Sequence, residues 1–123
     1  MKPGNASGAA GENFAAEYLQ NRGFKILRRN FHSRFGEIDV IASDGNCLAF
    51  VEVKTREASS MVSPLEAVTA AKQRKIIRTA QLYLQQYPQP LQPRFDVAAV
   101  TAQNGVPKRV LYLENAFCAA GFV

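Results

Sequence analysis

The stretch Gly36-Glu37-Ile38-Asp39-Val40-Ile41-Ala42-Ser43-Asp44-Gly45-Asn46-Cys47-Leu48-Ala49-Phe50-Val51-Glu52-Val53-Lys54 decides how this chain folds. Two aliphatic runs, Ile38 to Ala42 and Cys47 to Val53, flank Ser43-Asp44-Gly45-Asn46. The Asp-Gly and Gly-Asn dipeptides tolerate the positive φ that a tight hairpin turn needs, so the segment reads as an antiparallel hairpin. Side chains alternate along a strand. Leu48, Phe50, Glu52 and Lys54 therefore share one face, and Ala49, Val51 and Val53 the other. A two-residue turn at Gly45-Asn46 sets Asp39 opposite Glu52, whereas a turn at Asp44-Gly45 sets Glu37 there. Both registers leave Asp39 and Glu52 on one face; a three-residue loop without a bulge would separate them.

Two carboxylates embedded in apolar strands repel each other and resist desolvation unless a cation offsets their charge. Asp and Glu oxygens suit Mg²⁺ or Mn²⁺, which take one or two carboxylates and leave other positions to water and phosphate oxygens. Lys54, two residues past Glu52, is placed to orient a water or to balance charge on a phosphoryl oxygen. The competing reading is a solvated Glu52–Lys54 ion pair of little energetic weight, with Asp39 on the hairpin's polar face.

Working outward, residues 1–10 are small and polar and read as a flexible N-terminal lead-in, with a single domain over residues 11–123. Glu12, Ala15, Ala16 and Leu19 then form one stripe of an amphipathic helix that stops at Asn21-Arg22-Gly23. Glu12 lies on the stripe expected to face the sheet, where it is either a third acid at the metal site or an acid near a helix N-terminus. Phe24 to Phe31 reads as a basic edge strand. After a polar loop, Pro64 is expected to open a second helix running to about Gln86, with Val68, Ile76, Ile77, Ala80 and Leu84 inward. Pro88, Pro90 and Pro93 end it. Arg94 to Val100 and Arg109 to Leu113 read as two final strands around a turn containing Gly105, followed by a short apolar tail near Phe117. The order α-β-β-β-α-β-β predicts an α/β fold with a central mixed β-sheet flanked by helices.

Composition fits this frame. The chain has 123 residues, 47% hydrophobic and 20% charged, enough for one core without metal or disulfide staples. The formal charge of +5 favours polyanionic partners. The start Met1-Lys2-Pro3-Gly4-Asn5 has no apolar leader, and no run approaches a membrane span, so a cytoplasmic protein without membrane association is expected. Cys47 and Cys118 lack the close spacing of a zinc site and read as reduced packing thiols. His32, without a second histidine, is assigned no role.

The run Gly36-Glu37-Ile38-Asp39, then twelve residues, then Glu52-Val53-Lys54, with Gly11-Glu12 on a preceding helix, resembles the PD-(D/E)xK nuclease superfamily. More narrowly it resembles a small uncharacterised bacterial family placed near the archaeal Holliday-junction resolvases. The likeness spans roughly Gly11 to Leu84. It implies a restriction-endonuclease-like core in which Asp39 and Glu52 ligate the catalytic metal, Lys54 positions the hydrolytic water and Glu12 supports the site. Ile38 stands where the superfamily name has Pro. Lys72 and Gln73 fall where related nucleases often place polar residues near the scissile phosphate.

Arg28, Arg29, Arg34, Arg56, Lys72, Arg74, Lys75 and Arg78 are candidates for a phosphate-binding rim around the acids, the alternative being a solvated helix face. Phosphate contacts position a duplex without reading its sequence, and no element plainly enters a groove. The expectation is a metal-dependent endonuclease acting on DNA, branched DNA included, with a homodimer as one way to bring two sites to two strands. The alternative is a nucleic-acid-binding protein that keeps the fold without catalysis, and a third is a basic interaction domain for an acidic protein.

Overall fold

The computed structural model describes residues 5–59 and 67–119. The elements are α1 (Asn5–Asn21), β1 (Lys25–Ser33), β2 (Gly36–Ser43), β3 (Cys47–Glu57), α2 (Ala70–Gln86), β4 (Gln92–Gln103) and β5 (Val106–Phe117). They form one five-stranded sheet in the spatial order β1-β2-β3-β4-β5. β3 and β4 run parallel and the other neighbours antiparallel. The parallel step requires a crossover, and the connection that contains α2 provides it. The expected order and the mixed sheet are both present.

Each helix covers one face. Ala15 and Leu19 of α1 pack on Val40, Ala42, Ala49, Val51, Ala98 and Val100. On the other face Ile76, Ile77, Ala80 and Tyr83 of α2 pack on Ile41, Leu48, Phe50, Phe95 and Val97. β3 shows the alternation most plainly, with Phe50 under α2 and its neighbours Ala49 and Val51 under α1. β1 breaks the alternation. Asn30 has a φ of 53°, and it stands between Arg29, which reaches Glu12 of α1, and Phe31, which packs with the α2 side.

Several boundaries differ from the sequence expectations. α1 begins at Asn5, so residues 5–10 are helical rather than part of a lead-in. Ala9 and Ala10 favour the helix, and Gly11 lets it approach β3 closely, because a Cβ there would collide with the Thr55 side chain. The expected stop at Gly23 is observed. Gly23 has a φ of 90°, its N–H bonds to Gln20 C=O, and Phe24 N–H reaches back to Leu19 C=O. This pair of bonds closes a helix end through a left-handed glycine.

The expected helix opening at Pro64 lies outside the described residues; within them α2 starts at Ala70. Thr69 is its N-cap, accepting from Lys72 N–H at 3.2 Å. Val68 is buried but precedes the helix, and Thr79 and Tyr83 join the inward face. Phe117 belongs to β5 rather than to a tail, and its ring stacks on Phe95 at 5.2 Å. Among the described residues no helix is long and apolar enough to cross a membrane.

Candidate functional site

The β2–β3 hairpin takes the register of the Gly45-Asn46 turn: Ser43 pairs with Leu48, Ala42 with Ala49, Ile41 with Phe50 and Val40 with Val51. Asp44 closes the turn, its carboxylate accepting from Asn46 and Cys47 N–H at 2.8 and 2.7 Å. Pairing stops at Val40 and Val51, one step before Asp39 and Glu52 would face each other. β3 continues to Glu57 beside β4, while β2 stays with β1 back to Gly36 and Ser33. The central strands thus part at the two acids and open a cleft. Asp39 Oδ2 reaches into it and accepts from Val53 N–H at 2.7 Å, satisfying a backbone donor that the parted strands leave behind.

The cleft encloses about 440 Å³ and is lined by Glu12 from α1, Glu37 and Asp39 from β2, Glu52, Lys54 and Arg56 from β3, and Lys72 from α2. Asp39 and Glu52 are buried, with 7% and 4% of their surfaces exposed. Glu52 Oε2 lies 3.3 Å from Lys54 Nζ and 3.4 Å from Lys72 Nζ. Glu12 is 3.8 Å from Arg29. Burial pushes the Asp39 carboxyl up to about 8, with the negative charge of Glu52 adding to the rise and the Val53 hydrogen bond opposing it. Glu12 is raised as well, by burial first, against the pull of Arg29.

The four residues expected at the site, Glu12, Asp39, Glu52 and Lys54, therefore line one cleft. The basic and polar candidates divide. Arg56 and Lys72 line it. Arg29 pairs with Glu12, and Arg28 lies over the Phe31 ring. Gln73 donates from Nε2 to Val68 C=O at 3.1 Å, fastening the segment ahead of α2. Lys75 and Arg34 are exposed near the β1–β2 turn. Glu37 is a cleft residue that the sequence reading considered only as a possible partner of Glu52; it pairs with His32 Nδ1 at 3.1 Å. Its place two residues before Asp39 on the same strand was the available signal.

Among the described residues no group of three or more His, Cys, Asp and Glu side chains is drawn together tightly enough to hold a metal ion. Mg²⁺ and Mn²⁺ commonly bind through only one or two carboxylates and keep several waters, and Asp39 and Glu52 are carboxylates of that chemistry. Burial first, and the Glu52 charge second, favour a proton or a cation at Asp39.

A family model described as uncharacterised protein family UPF0102 matches residues 11–100, from the helix bearing Glu12 to the end of the sheet's apolar centre. The chain belongs to the UPF0102 family. It is 53% identical over 103 residues to a UPF0102 protein of Chlorobium chlorochromatii, covering 81% of this chain and 80% of the relative. A UPF0102 protein of Symbiobacterium thermophilum is 49% identical over 91% of this chain and 96% of its own length. One of Syntrophotalea carbinolica is 47% identical over 94% of each. The match to UPF0102 covers every cleft residue named above.

Proposed function

We propose that this UPF0102 protein is a divalent-metal-dependent endonuclease that hydrolyses DNA phosphodiester bonds and that it is a PD-(D/E)xK enzyme. The observation that carries the reading is the meeting of buried Asp39 and Glu52 with the Lys54 ammonium, 3.3 Å from Glu52, in one open cleft where two strands part. Asp39 and Glu52 would hold Mg²⁺ or Mn²⁺. Such an ion would polarise the phosphate and ease ionisation of the attacking water. Lys54 orients that water and offsets charge growing on the phosphoryl oxygens. Lys72 and Arg56 bind the flanking phosphates, and Glu12 maintains the negative field from α1. Branched DNA is the proposed substrate form.

A second reading has its own support. Glu52 is already balanced by two ammonium groups, an arrangement that also suits a protein that binds nucleic acid and does not cut it. Incubation with linear, nicked and four-way DNA in Mg²⁺ or Mn²⁺, beside Asp39→Ala and Lys54→Ala, separates the two. Cleavage by the natural protein and loss in both variants is the expected result; binding with no cleavage of any substrate selects the second reading.

A further inference from the structure

A second groove shares no lining residue with the cleft, and the catalytic reading leaves it unused. It encloses about 450 Å³ between Phe35, in the β1–β2 turn, and Arg74, Arg78, Gln81 and Gln85 of α2, with buried Ile77 at its base. Two guanidinium groups lie over the Phe35 ring, Arg34 at 5.0 Å and Arg78 at 5.3 Å from its centroid. Among the described residues no carboxylate lines the groove.

The turn that presents Phe35 is fastened to α2. Ser33 Oγ accepts from Phe35 N–H at 3.0 Å and lies 2.9 Å from Thr79 Oγ1, which in turn donates to Lys75 C=O at 2.8 Å. A half-buried aromatic ring in a two-residue turn, with cations over it and a side-chain bridge beneath it, is preorganised rather than free to fold away.

We propose that this groove receives an unpaired nucleobase of the nucleic-acid substrate, stacked on the Arg34–Phe35–Arg78 set while the guanidinium groups take up its phosphate. The proposal rests on the nuclease reading only for the substrate class, and it narrows that class to DNA with a single-stranded or unstacked segment beside the cut. Stacking on aromatic rings and guanidinium planes is how single-stranded nucleic acid is held without regard to sequence. Lys72 in the cleft and Arg78 in the groove are six residues apart on one helix, about 9 Å along its axis and about 120° apart around it, so a strand passing from one to the other bends around α2. A paired base, shielded inside a duplex, cannot enter, so the groove favours forks, flaps and branch points.

The test uses the full chain with a forked DNA carrying 2-aminopurine in the single-stranded arm next to the fork, and a blunt duplex of equal length. Binding is read in EDTA, so that turnover is not required. The natural protein is expected to quench the 2-aminopurine emission and to bind the fork more tightly than the duplex. Phe35→Ala is expected to lose the quenching and to weaken fork binding roughly five- to hundredfold, with duplex binding unchanged. Phe35→Leu keeps the apolar volume and should quench as poorly as Phe35→Ala. Full quenching and fork preference in Phe35→Ala overturn the proposal. Should that variant fail to fold by circular dichroism, Arg34→Gln/Arg78→Gln replaces it, and retained quenching there overturns the proposal equally. Phe35-dependent fork binding with no cleavage in Mg²⁺ or Mn²⁺ would sink the nuclease reading alone; cleavage with no dependence on Phe35 would sink this proposal alone.

Discussion

Asp39 Oδ2 accepts a hydrogen bond from Val53 N–H at 2.7 Å, the two residues lying one and two positions beyond the last pair of β2 and β3, Val40 and Val51. A side chain thereby replaces the ladder bond where the sheet opens. The same carboxylate is a structural stitch and an acid whose burial favours its protonated form.

That double role gives a pH dependence. The Asp39 carboxyl is pushed up to about 8 in the folded protein, against an ordinary value of 3.8. Between these two limits the folded state keeps a proton that the unfolded chain releases, so unfolding liberates protons and stability falls as pH rises. The contribution is fully present below about pH 4 and is lost as pH passes through about 8. Urea denaturation of the metal-free protein at several pH values should show a decline on the order of a few kcal/mol across this window. In Asp39→Asn the decline should shrink markedly. An equal slope in the variant would remove Asp39 as its source. Saturating Mn²⁺ should stabilise the natural protein most at the alkaline end, where the carboxylate is ionised.

Lys54 and Lys72 both touch Glu52 but come from different elements, and their replacement should read differently. Lys54→Ala removes the group beside the reacting phosphate and should lower the cleavage rate by about 10²–10³-fold with DNA affinity little changed. Lys72→Ala removes a cation held by α2 at the cleft mouth, so it should weaken DNA binding and reduce the slope of log affinity against log salt by about one. Single-turnover cleavage and binding titrations from low to moderate salt make the comparison. Identical profiles for the two variants would contradict the division of roles.

The close approach of α1 to β3 at Gly11 carries Glu12 to the cleft. A methyl group at Gly11 would fall on the Thr55 side chain, and a helix cannot tilt away there without moving Glu12. Gly11→Ala should therefore cost about 1–3 kcal/mol. Removing the obstacle in Gly11→Ala/Thr55→Ala should recover most of the loss, a coupling that chemical denaturation of the four proteins in the cycle measures directly. Additive effects would show that the contact is not the cause.

The parts legible in the sequence are those set by local rules. The hairpin follows from Asp-Gly-Asn between two alternating runs, and once its turn is Gly45-Asn46, Asp39 and Glu52 flank the point where the strands part. The end of α1 follows from Gly23 alone. What escaped depends on contacts distant in sequence. Ser7 and Gly8 read as a loose lead-in, and nothing beside Gly11 in the sequence announces the close approach that β3 requires there. Lys72 reaches Glu52 across twenty positions, through a crossover whose geometry no local pattern encodes. Gln73, beside it on the same turn, is spent on a backbone carbonyl instead. Asn30 reverses the facing of β1 through a left-handed backbone that its sequence neighbours do not announce.

Asp96 shows the same limit in the core. It reads in sequence as one polar residue in the run Arg94-Phe95-Asp96-Val97, yet it is fully buried and accepts hydrogen bonds from Arg94, from Tyr112 Oη at 2.6 Å and from Asn115 N–H at 2.8 Å. Arg94 engages it through both Nε and Nη2, at 3.0 and 2.9 Å, and this pairing holds the guanidinium charged more firmly than usual. The carboxylate thus ties β4 to β5 at the place where Asn115 takes a φ of 52° and the β4–β5 register shifts between Phe95 and Val97. Asp96→Ala leaves Tyr112 and Asn115 without their acceptor and Arg94 with only its longer contacts to Asp44 and Glu114, at 3.6 and 3.9 Å, and should cost about 3–5 kcal/mol, nearer the lower figure because those contacts remain. Asp96→Asn keeps the shape, so its smaller loss isolates the charge. Neither residue lines the cleft, so cleavage by the folded fraction should be unchanged. A stability loss below about 1 kcal/mol in Asp96→Ala would mean that water replaces the carboxylate and that the β4–β5 junction does not depend on it.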